Sequence, residues 1–251
     1  KPAGVALHAL LLKPFLSWYS FSEVLLKMAP LLLIAQGLAI GFRANVFNIG
    51  AEGQFILGAS CASAFPVFFP DGAFPLMLPM MIVAGAMGGA VYALIAAGLR
   101  TRFGASEILV TLMMSLIAVQ ILNYLLLGPW KDPRGFNFPQ TVMFPDNALL
   151  PILFAGTRTN ISLIFAILAS VFAYLMMQHH FRGYQLRTAG LAPRAALYAG
   201  FSAPRMVWRG RGLGGLAAGI AGASEVAGPL GQLQRSVSSG YGYAAIIVAY
   251  V

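Results

Sequence analysis

Long stretches without a charged side chain are the feature of this sequence that most limits what it can fold into. The clearest lie at 72–99, 108–130 and 159–181, and each is longer than 20 residues. About 20 consecutive apolar residues are enough for an α-helix to cross the hydrocarbon core of a bilayer. The sequence therefore predicts an all-α, polytopic bundle of transmembrane helices.

Weaker intervals extend this pattern at 28–42, 53–70, 212–224 and from Gly242 onward. We expect Glu23 and Lys27 to lie at the entrance of the first of them. The whole chain, 1–251, is treated as one transmembrane domain. Because it does not begin with Met and stops inside an apolar run, we expect the natural protein to extend beyond both ends.

The composition excludes several classes of protein. Only 9% of the residues are charged and 59% are hydrophobic, whereas about a quarter of the residues in a soluble domain are charged. The net charge of +9 comes from Lys and Arg scattered between apolar runs, which suits loops beside anionic lipid better than binding to nucleic acid. Cys61 is the single cysteine, so neither an intrachain disulfide nor a cysteine-based zinc site can form.

The distribution of Lys and Arg predicts the orientation, because these residues concentrate in cytoplasmic connections. If Arg43 is cytoplasmic, Arg100 and Arg102 are cytoplasmic as well. So is the basic loop after the third clear span, which has six Arg or His residues and no acidic residue before Arg205. The stretches 71–75 and 128–158 then face the outside.

Polar residues interrupt the apolar pattern at 42–54. Asn45, Asn48, Glu52 and Gln54 lie there with two glycines, at or near membrane depth. Such groups need partners or a wet cavity inside lipid. One interpretation is a broken helix that lines a translocation path. The other is a cytoplasmic turn and helix cap, with Glu52 supporting the first turn.

Four segments resemble, in the right order, permease subunits of ATP-binding cassette importers, in the branch for branched-chain amino acids, ribose and nucleosides. The first is FRANVFNIGAEGQFILGA at 42–59, whose FNIGAEGQ is similar to the simple-sugar and nucleoside subgroup. The others are SEILVTLMMSLIAVQILNYLLLGPWKDP at 106–133, RTAGLAPRAALYAGF at 187–201 and SSGYGYAAIIVAYV at 238–251. The resemblance runs from about Phe21 to the last residue.

This resemblance implies a type II-like importer permease with discontinuous helices and a cytoplasmic coupling helix. It implies a multi-pass protein of a bacterial or archaeal cytoplasmic (inner) membrane. The implied partners are ATP-binding cassette ATPase subunits, a second permease of the same or a related kind, and an extracytoplasmic substrate-binding protein. The ATPase would use ATP and Mg²⁺, and no cofactor, metal ligand or catalytic residue is expected in this chain. Nucleosides are the favoured substrates, with simple sugars next.

The loop 187–201 has the features of a short docking helix. Gly190 is expected to end the incoming helix or turn after it, and Pro193 can occupy a first helical turn. Leu197 and Tyr198 give an apolar patch on a basic loop, which suits a soluble partner, although an amphipathic helix lying on lipid is the alternative. With the resemblance, the coupling residues are Gly190, Pro193, Arg194, Ala195, Ala196, Leu197, Tyr198, Ala199 and Gly200.

A pocket for a nucleoside would need aromatic faces and amides. The candidates for the substrate path or its gate are Asn45, Phe47, Asn48, Glu52, Gln54, Asn123, Tyr241 and Tyr243. Asn123 could equally bond a neighbouring helix. Glu107 is interpreted as a helix-start residue. The Gly-rich stretch 219–231 with Glu225 is expected to bend or to permit close helix packing.

Arg209 and Arg211 depart from the family pattern, which has an apolar helix after the coupling loop. An arginine at the centre of a membrane helix costs roughly 2.5–3.5 kcal/mol. Both side chains can reach the interface if this helix begins later, near Leu213, which leaves a short helix. An altered sequence at this point is the alternative.

The sequence contains no G-x-x-x-x-G-K-[ST] motif, so it predicts a transport subunit and not an ATPase. His179 and His180 are adjacent and lack the i,i+4 spacing of a helical metal pair. The alternative function is an ion-coupled secondary transporter of small polar solutes, with Glu52 and Glu225 as ion sites. Such a transporter has no need of the loop 187–201.

Overall fold

The computed structural model describes residues 12–71 and 75–250. The helices in this part are α1 Lys13–Leu16, α2 Trp18–Arg43, α3 Ala51–Phe68, α4 Met77–Phe103, α5 Glu107–Leu127, α6 Ser162–His179, α7 Phe181–Leu191, α8 Pro193–Tyr198, α9 Ala203–Glu225 and α10 Tyr241–Tyr250. A π-helical turn, Val226–Leu230, follows α9, and 3₁₀ turns lie at Asp146–Ala148 and Arg235–Val237. The described residues form no β-strand, which confirms the predicted all-α bundle.

Four of the described helices are long and apolar enough to cross a membrane, namely α2, α4, α5 and α6. The last three match the charge-free intervals at 72–99, 108–130 and 159–181. In the connection predicted at 71–75, Asp71 and Pro75 lie in turns, and 72–74 lie outside the described residues.

The predicted start of the first span is wrong. The helix α2 begins at Trp18, so Glu23 and Lys27 lie inside it and not at its entrance. Each of the two finds a partner on another part of the chain. Glu23 lies 3.6 Å from Arg158, and Lys27 lies 3.1 Å from Glu225. These pairs let charged side chains occupy a long helix that is otherwise apolar.

The predicted start of α9 is also wrong, since the helix begins at Ala203 and not near Leu213. Arg209 and Arg211 therefore lie within it. Arg209 donates a hydrogen bond to Gln185 on α7 at 3.0 Å. Arg211 forms a salt bridge with Glu107, so its charge is compensated inside the bundle and its side chain does not have to extend to the membrane–water interface.

Close packing of small residues places α9 at the centre of the bundle, where it contacts α2, α3 and α4 extensively. A Cβ atom at Gly219 would overlap the carbonyl oxygen of Gly85 on α4. A Cβ atom at Gly222 would overlap the carbonyl oxygen of Phe55 on α3. The predicted close helix packing in this stretch is confirmed, and the π-helical turn after Glu225 adds the predicted bend.

The two ends of the bundle differ. One end, which we call the Arg-rich end, carries Arg43, Arg100, Arg187, Arg209 and Arg211. The other, the loop end, is formed by residues 128–161 and 231–240. These segments pair through backbone hydrogen bonds from Thr141 to Leu233 and from Phe144 to Gly231, both 2.9 Å long. Leu150 also donates to Ala227, in the π-helical turn, at 2.7 Å.

Candidate functional site

The break between α2 and α3 is held by two buried amides. Asn48 Oδ1 accepts a hydrogen bond from the backbone N–H of Gly50 at 3.0 Å. Asn48 Nδ2 donates to Gln54 Oε1 at 3.0 Å, and Gln54 Nε2 donates back to Asn48 Oδ1 at 3.2 Å. Because these amides are occupied by each other and by the backbone, they stabilise the break itself. The arrangement favours a role for Asn48 and Gln54 in holding the turn before α3, whose N-cap is Gly50 without a side-chain capping bond.

Glu52 lies in the first turn of α3, but its carboxylate serves another helix. It accepts hydrogen bonds from Ser238 Oγ (3.2 Å) and from the backbone N–H groups of Gly240 (3.1 Å) and Gly242 (2.6 Å). These groups lead into or begin α10, whose positive N-terminal end favours a carboxylate. Glu52 is 1% exposed. It therefore ties the N-terminal ends of α3 and α10 together inside the bundle.

The contact between these two helix starts needs a glycine. A Cβ atom at Gly242 would overlap the backbone nitrogen of Glu52. The sequence indicated that Glu52 is an unusual polar residue in an apolar region. It gave no sign that its partners lie 186 to 190 residues further along the chain.

Tyr241 links this site to a second polar cluster. Its ring lies 5.6 Å from the ring of Phe55, and its hydroxyl donates to Glu225 Oε1 at 3.2 Å. Lys27 Nζ lies 3.1 Å from the same oxygen and 5.3 Å from the Tyr241 ring centroid. The side chain of Glu225 is only 4% exposed, and the nearby ammonium group of Lys27 balances its negative charge. The sequence analysis placed Lys27 at the entrance of a span and did not foresee its pairing with Glu225.

Asn123 lies near the loop end, on α5. Its Oδ1 accepts a hydrogen bond from Arg235 Nε at 3.0 Å, and its Nδ2 donates to Gln120 at 3.5 Å. Arg235 precedes Ser238 in the segment that leads into α10. This segment is therefore held at one end by Asn123 and at the other by Glu52.

The remaining path candidates lie apart from Glu52. Asn45 is exposed and has a left-handed backbone with φ of 55°, and Phe47 packs against Phe42 with ring centroids 5.5 Å apart. Tyr243 is 39% exposed on the first turn of α10. The structure thus brings together Asn48 with Gln54, and Glu52 with the segment around Tyr241. It leaves Asn45 and Phe47 at the Arg-rich end.

An ionic cluster that the sequence analysis missed joins three helices at the Arg-rich end. Glu107 Oε2 accepts from Arg211 Nη2 at 2.7 Å and also pairs with Arg100. Arg211 Nη2 also lies 3.2 Å from the carbonyl oxygen of Phe47. Arg211 has a side-chain exposure of 0%, and its Nε and Nη1 have no hydrogen-bond partner. Glu107 does begin α5, as expected, but it also neutralises an arginine inside α9.

The short helix α8 lies where the docking helix was predicted, and Pro193 occupies its first turn. Leu197 is 71% exposed and Tyr198 is 94% exposed. Gly200 has a φ of 77°, which lets the chain turn after the helix. The exposed aromatic rings of Phe181 and Tyr184 on α7 lie on the same connection.

Two coupling candidates lie differently from the expectation. Ala196 is 3% exposed, so it packs against its own chain and offers little surface for direct contact. Gly190 does not end its helix, because α7 continues to Leu191. Instead, a Cβ atom at Gly190 would overlap the carbonyl oxygen of Arg43, so this glycine lets α7 approach the end of α2.

Within the described residues no group of three or more His, Cys, Asp or Glu side chains could hold a metal ion. His180 caps α7 by accepting a hydrogen bond from the Arg182 backbone N–H at 3.1 Å. His179 is the last residue of α6 and lies against Tyr174.

Residues 20–251 match a protein family described as the branched-chain amino acid transport system / permease component. The chain is 34% identical to a glucose ABC transporter permease protein of Haloferax volcanii, over 98% of this chain and 70% of that relative. It is 30% identical to a guanosine ABC transporter permease protein of Bacillus subtilis, over 92% of this chain and 67% of that relative.

A nucleoside ABC transporter permease protein of Lactococcus lactis subsp. cremoris is also 30% identical, over 87% of this chain. The match covers 61% of that relative's length. No solved structure matches the chain.

Proposed function

Since the chain belongs to the family of branched-chain amino acid transport system permease components, we propose that it forms the transmembrane path of an ATP-binding cassette importer for nucleosides or simple sugars. It is a multi-pass membrane protein and a transport subunit. One observation supports the position of the proposed path: the N-terminal ends of α3 and α10 meet at Glu52, inside the bundle. Helices interrupted within the membrane are the usual frame of a solute site.

The segment 231–240 and the first turn of α10 form the proposed substrate-facing element. Tyr243 supplies an exposed aromatic face, and Tyr241, buried against Phe55, holds this turn in place. Asn123 supports the segment near its outer end through Arg235. Glu52 holds the start of α10 in place and is the proposed gate residue. Asn48 and Gln54 form the hinge at the break, and Asn45 and Phe47 mark its inner end.

The proposed power source is a separate ATPase pair that uses ATP and Mg²⁺. The basic connection α7–α8 would face the cytoplasm, as its lack of acidic residues favours. Leu197 and Tyr198 would bind the ATPase. Both are large side chains on a short helix, and both are mostly exposed, so they are available for a contact with a soluble partner. Exposed Arg194, Ala195 and Ala199 form the rim of this contact.

The family supports a proposal for the remaining assembly. A second permease, the same or related, would complete the path in the cytoplasmic (inner) membrane. An extracytoplasmic binding protein would deliver substrate to the loop end, including residues 128–158. Among substrates we favour nucleosides, because two of the relatives named above are nucleoside or guanosine permeases. Simple sugars come next, since a third is a glucose permease.

Reconstituted vesicles test this function. We expect uptake of labelled guanosine to require the co-expressed ATPase and ATP, to survive collapse of ion gradients, and to be inhibited by other nucleosides more than by pentoses, glucose or leucine. Uptake that needs an ion gradient and no ATPase would support the secondary transporter instead. Inhibition by sugars alone would keep the importer and change the substrate.

Coupling is tested with Tyr198→Ala in the same vesicles. We expect loss of ATPase co-purification with little change in the unfolding temperature of the permease, since Tyr198 is almost fully exposed. Tyr124→Ala is the matched control, because Tyr124 is 70% exposed at the opposite end of the bundle. Normal ATPase co-purification with Tyr198→Ala would remove α8 from the contact.

A further inference from the structure

A polar cavity of about 400 Å³ lies at the Arg-rich end, where α2 and α6 end and α7 runs past them. Arg43, Asn45, Gln178 and Arg187 line it, together with apolar Phe42 and Leu191. Every ionisable side chain in this lining is basic. Neither Arg43 nor Arg187 forms a salt bridge within the described residues. The cavity therefore concentrates positive charge without an internal counter-charge.

Arg187 has unused hydrogen-bonding capacity at this cavity. Its Nη2 donates to the carbonyl oxygen of Met177 and to Gln178 Oε1, the latter at 2.6 Å. Its Nε is buried and has no hydrogen-bond partner. A buried donor without an acceptor is costly, so an acceptor from a bound molecule would be stabilising here.

The end of α2 would normally oppose an anion, because the C-terminal carbonyl groups of a helix carry partial negative charge. Those carbonyl groups are already occupied. The Gly41 oxygen accepts from the N–H groups of Ala44 and Val46, and the Phe42 oxygen accepts from Asn45. The close approach of Gly190 covers the Arg43 carbonyl. The two guanidinium groups therefore dominate the charge of the cavity.

A second cavity of about 240 Å³ continues from the first, sharing Arg43 and Gln178. It runs between α2 and α6. Nearly buried Ile40, Ala173 and Met177 form its apolar wall, and it is also lined by Gln36, Ser170 and Tyr174. A groove with an apolar wall, lying between two helices long enough to cross a membrane and continuous with a basic cavity, can take the upper part of an acyl chain joined to an anionic headgroup. A free phosphate ion would use the basic part alone.

We propose that these two cavities form one binding site for an anionic glycerophospholipid of the cytoplasmic leaflet. The phosphate lies between Arg43 and Arg187, and an acyl chain lies along the groove between α2 and α6. Basic cavities between transmembrane helices on the cytoplasmic side are suited to anionic headgroups. The bound lipid would join the break after α2 to the helix that leads into α8.

The test uses the full chain with its ATPase partner, purified in detergent and analysed by native mass spectrometry with added phosphatidylglycerol or phosphatidylcholine. We expect phosphatidylglycerol to be retained in preference to phosphatidylcholine. Arg43→Gln and Arg187→Gln should each weaken its binding about fivefold. Arg102→Gln is the matched control, because Arg102 is exposed in the last turn of α4, as Arg43 is in α2. It should leave binding unchanged.

Arg43→Gln is the decisive variant, since no other described side chain depends on Arg43 through a hydrogen bond or salt bridge. If Arg187→Gln lowers the unfolding temperature without lipid, Arg43→Gln alone decides. Equal retention of the two lipids, or equal loss with Arg102→Gln, would overturn the proposal. Displacement of phosphatidylglycerol by millimolar inorganic phosphate would show a phosphate site and would also overturn it.

Discussion

Two residues of α9, Arg211 in its first half and Glu225 at its last position, carry buried charges of opposite sign that are compensated in different ways. At the Arg-rich end, Arg211 and Arg100 share one carboxylate, Glu107, and Arg211 keeps two buried N–H groups without partners. Towards the other end, Glu225 is matched by one lysine and one tyrosine hydroxyl. Loss of the Glu107 carboxylate would leave the first cluster with two unpaired arginines, which would lower the stability of the fold strongly. The Lys27–Glu225 pair has no net charge and borders the start of α10. This contrast predicts that the Arg211 cluster is the more sensitive of the two to the loss of a charged partner.

The largest expected effect is at Glu107. Glu107→Gln leaves Arg211 buried without a counter-charge, and breaking a buried pair in this way costs about 3–5 kcal/mol. We expect a large fall in the thermal unfolding midpoint in detergent. Arg211→Met should cost less, since Glu107 keeps its pair with the half-exposed Arg100. Equal losses for the two variants would show that Arg211 carries no uncompensated charge, and the contrast between the two clusters would fail.

Glu52 is expected to come next. Glu52→Gln keeps the shape of the side chain but removes the charge that faces the start of α10, and hydrogen bonds to a charged group contribute about 1.5–3 kcal/mol. We expect a moderate loss of stability together with a severe loss of uptake. Gln54→Glu is a useful companion, because it disrupts the neighbouring amide pair but leaves Glu52 in place. Normal uptake with Glu52→Gln would exclude Glu52 as a gate residue.

The smallest effects are expected at the Lys27–Glu225 pair. Lys27→Met leaves the buried Glu225 carboxylate without its counter-charge, but the Tyr241 hydroxyl still donates to it, so we expect a loss below that of Glu107→Gln. Glu225→Gln should cost less again, because the Lys27 side chain that it frees is 53% exposed. Unfolding midpoints of both variants, measured beside Glu107→Gln, give the comparison. A loss for Lys27→Met as large as that for Glu107→Gln would make the two clusters equivalent.

The same contrast explains what the sequence could predict. Charge-free runs located α4, α5 and α6 because these helices expose large apolar side chains, such as Leu116 on α5 and Phe172 on α6. The start of α9 could not be found in this way. Arg211 is tolerated in the helix because Glu107, 104 residues earlier, compensates its charge. The residues around Arg211 in the sequence do not reveal this distant partner.

The candidate site divides similarly. The polarity of Asn48, Glu52 and Gln54 inside an apolar region was visible in the sequence, and all three are buried. Their partners were not visible. Glu52 accepts hydrogen bonds from the backbone N–H groups of Gly240 and Gly242. Every residue type except proline has such a group, so the sequence does not show which residues will be the donors. The exposure of Leu197 and Tyr198 followed from local pattern, whereas the burial of Ala196 depends on how α8 lies against its own chain.

The central claim is that substrate passes the start of α10 beside Glu52. The most direct measurement is thiol labelling of Tyr243→Cys in a Cys61→Ser background, in vesicles that contain the ATPase and the binding protein. We predict labelling by a small charged reagent, slowed by guanosine and changed in rate by ATP. Labelling that is absent from both sides, or that neither guanosine nor ATP alters, would contradict the claim.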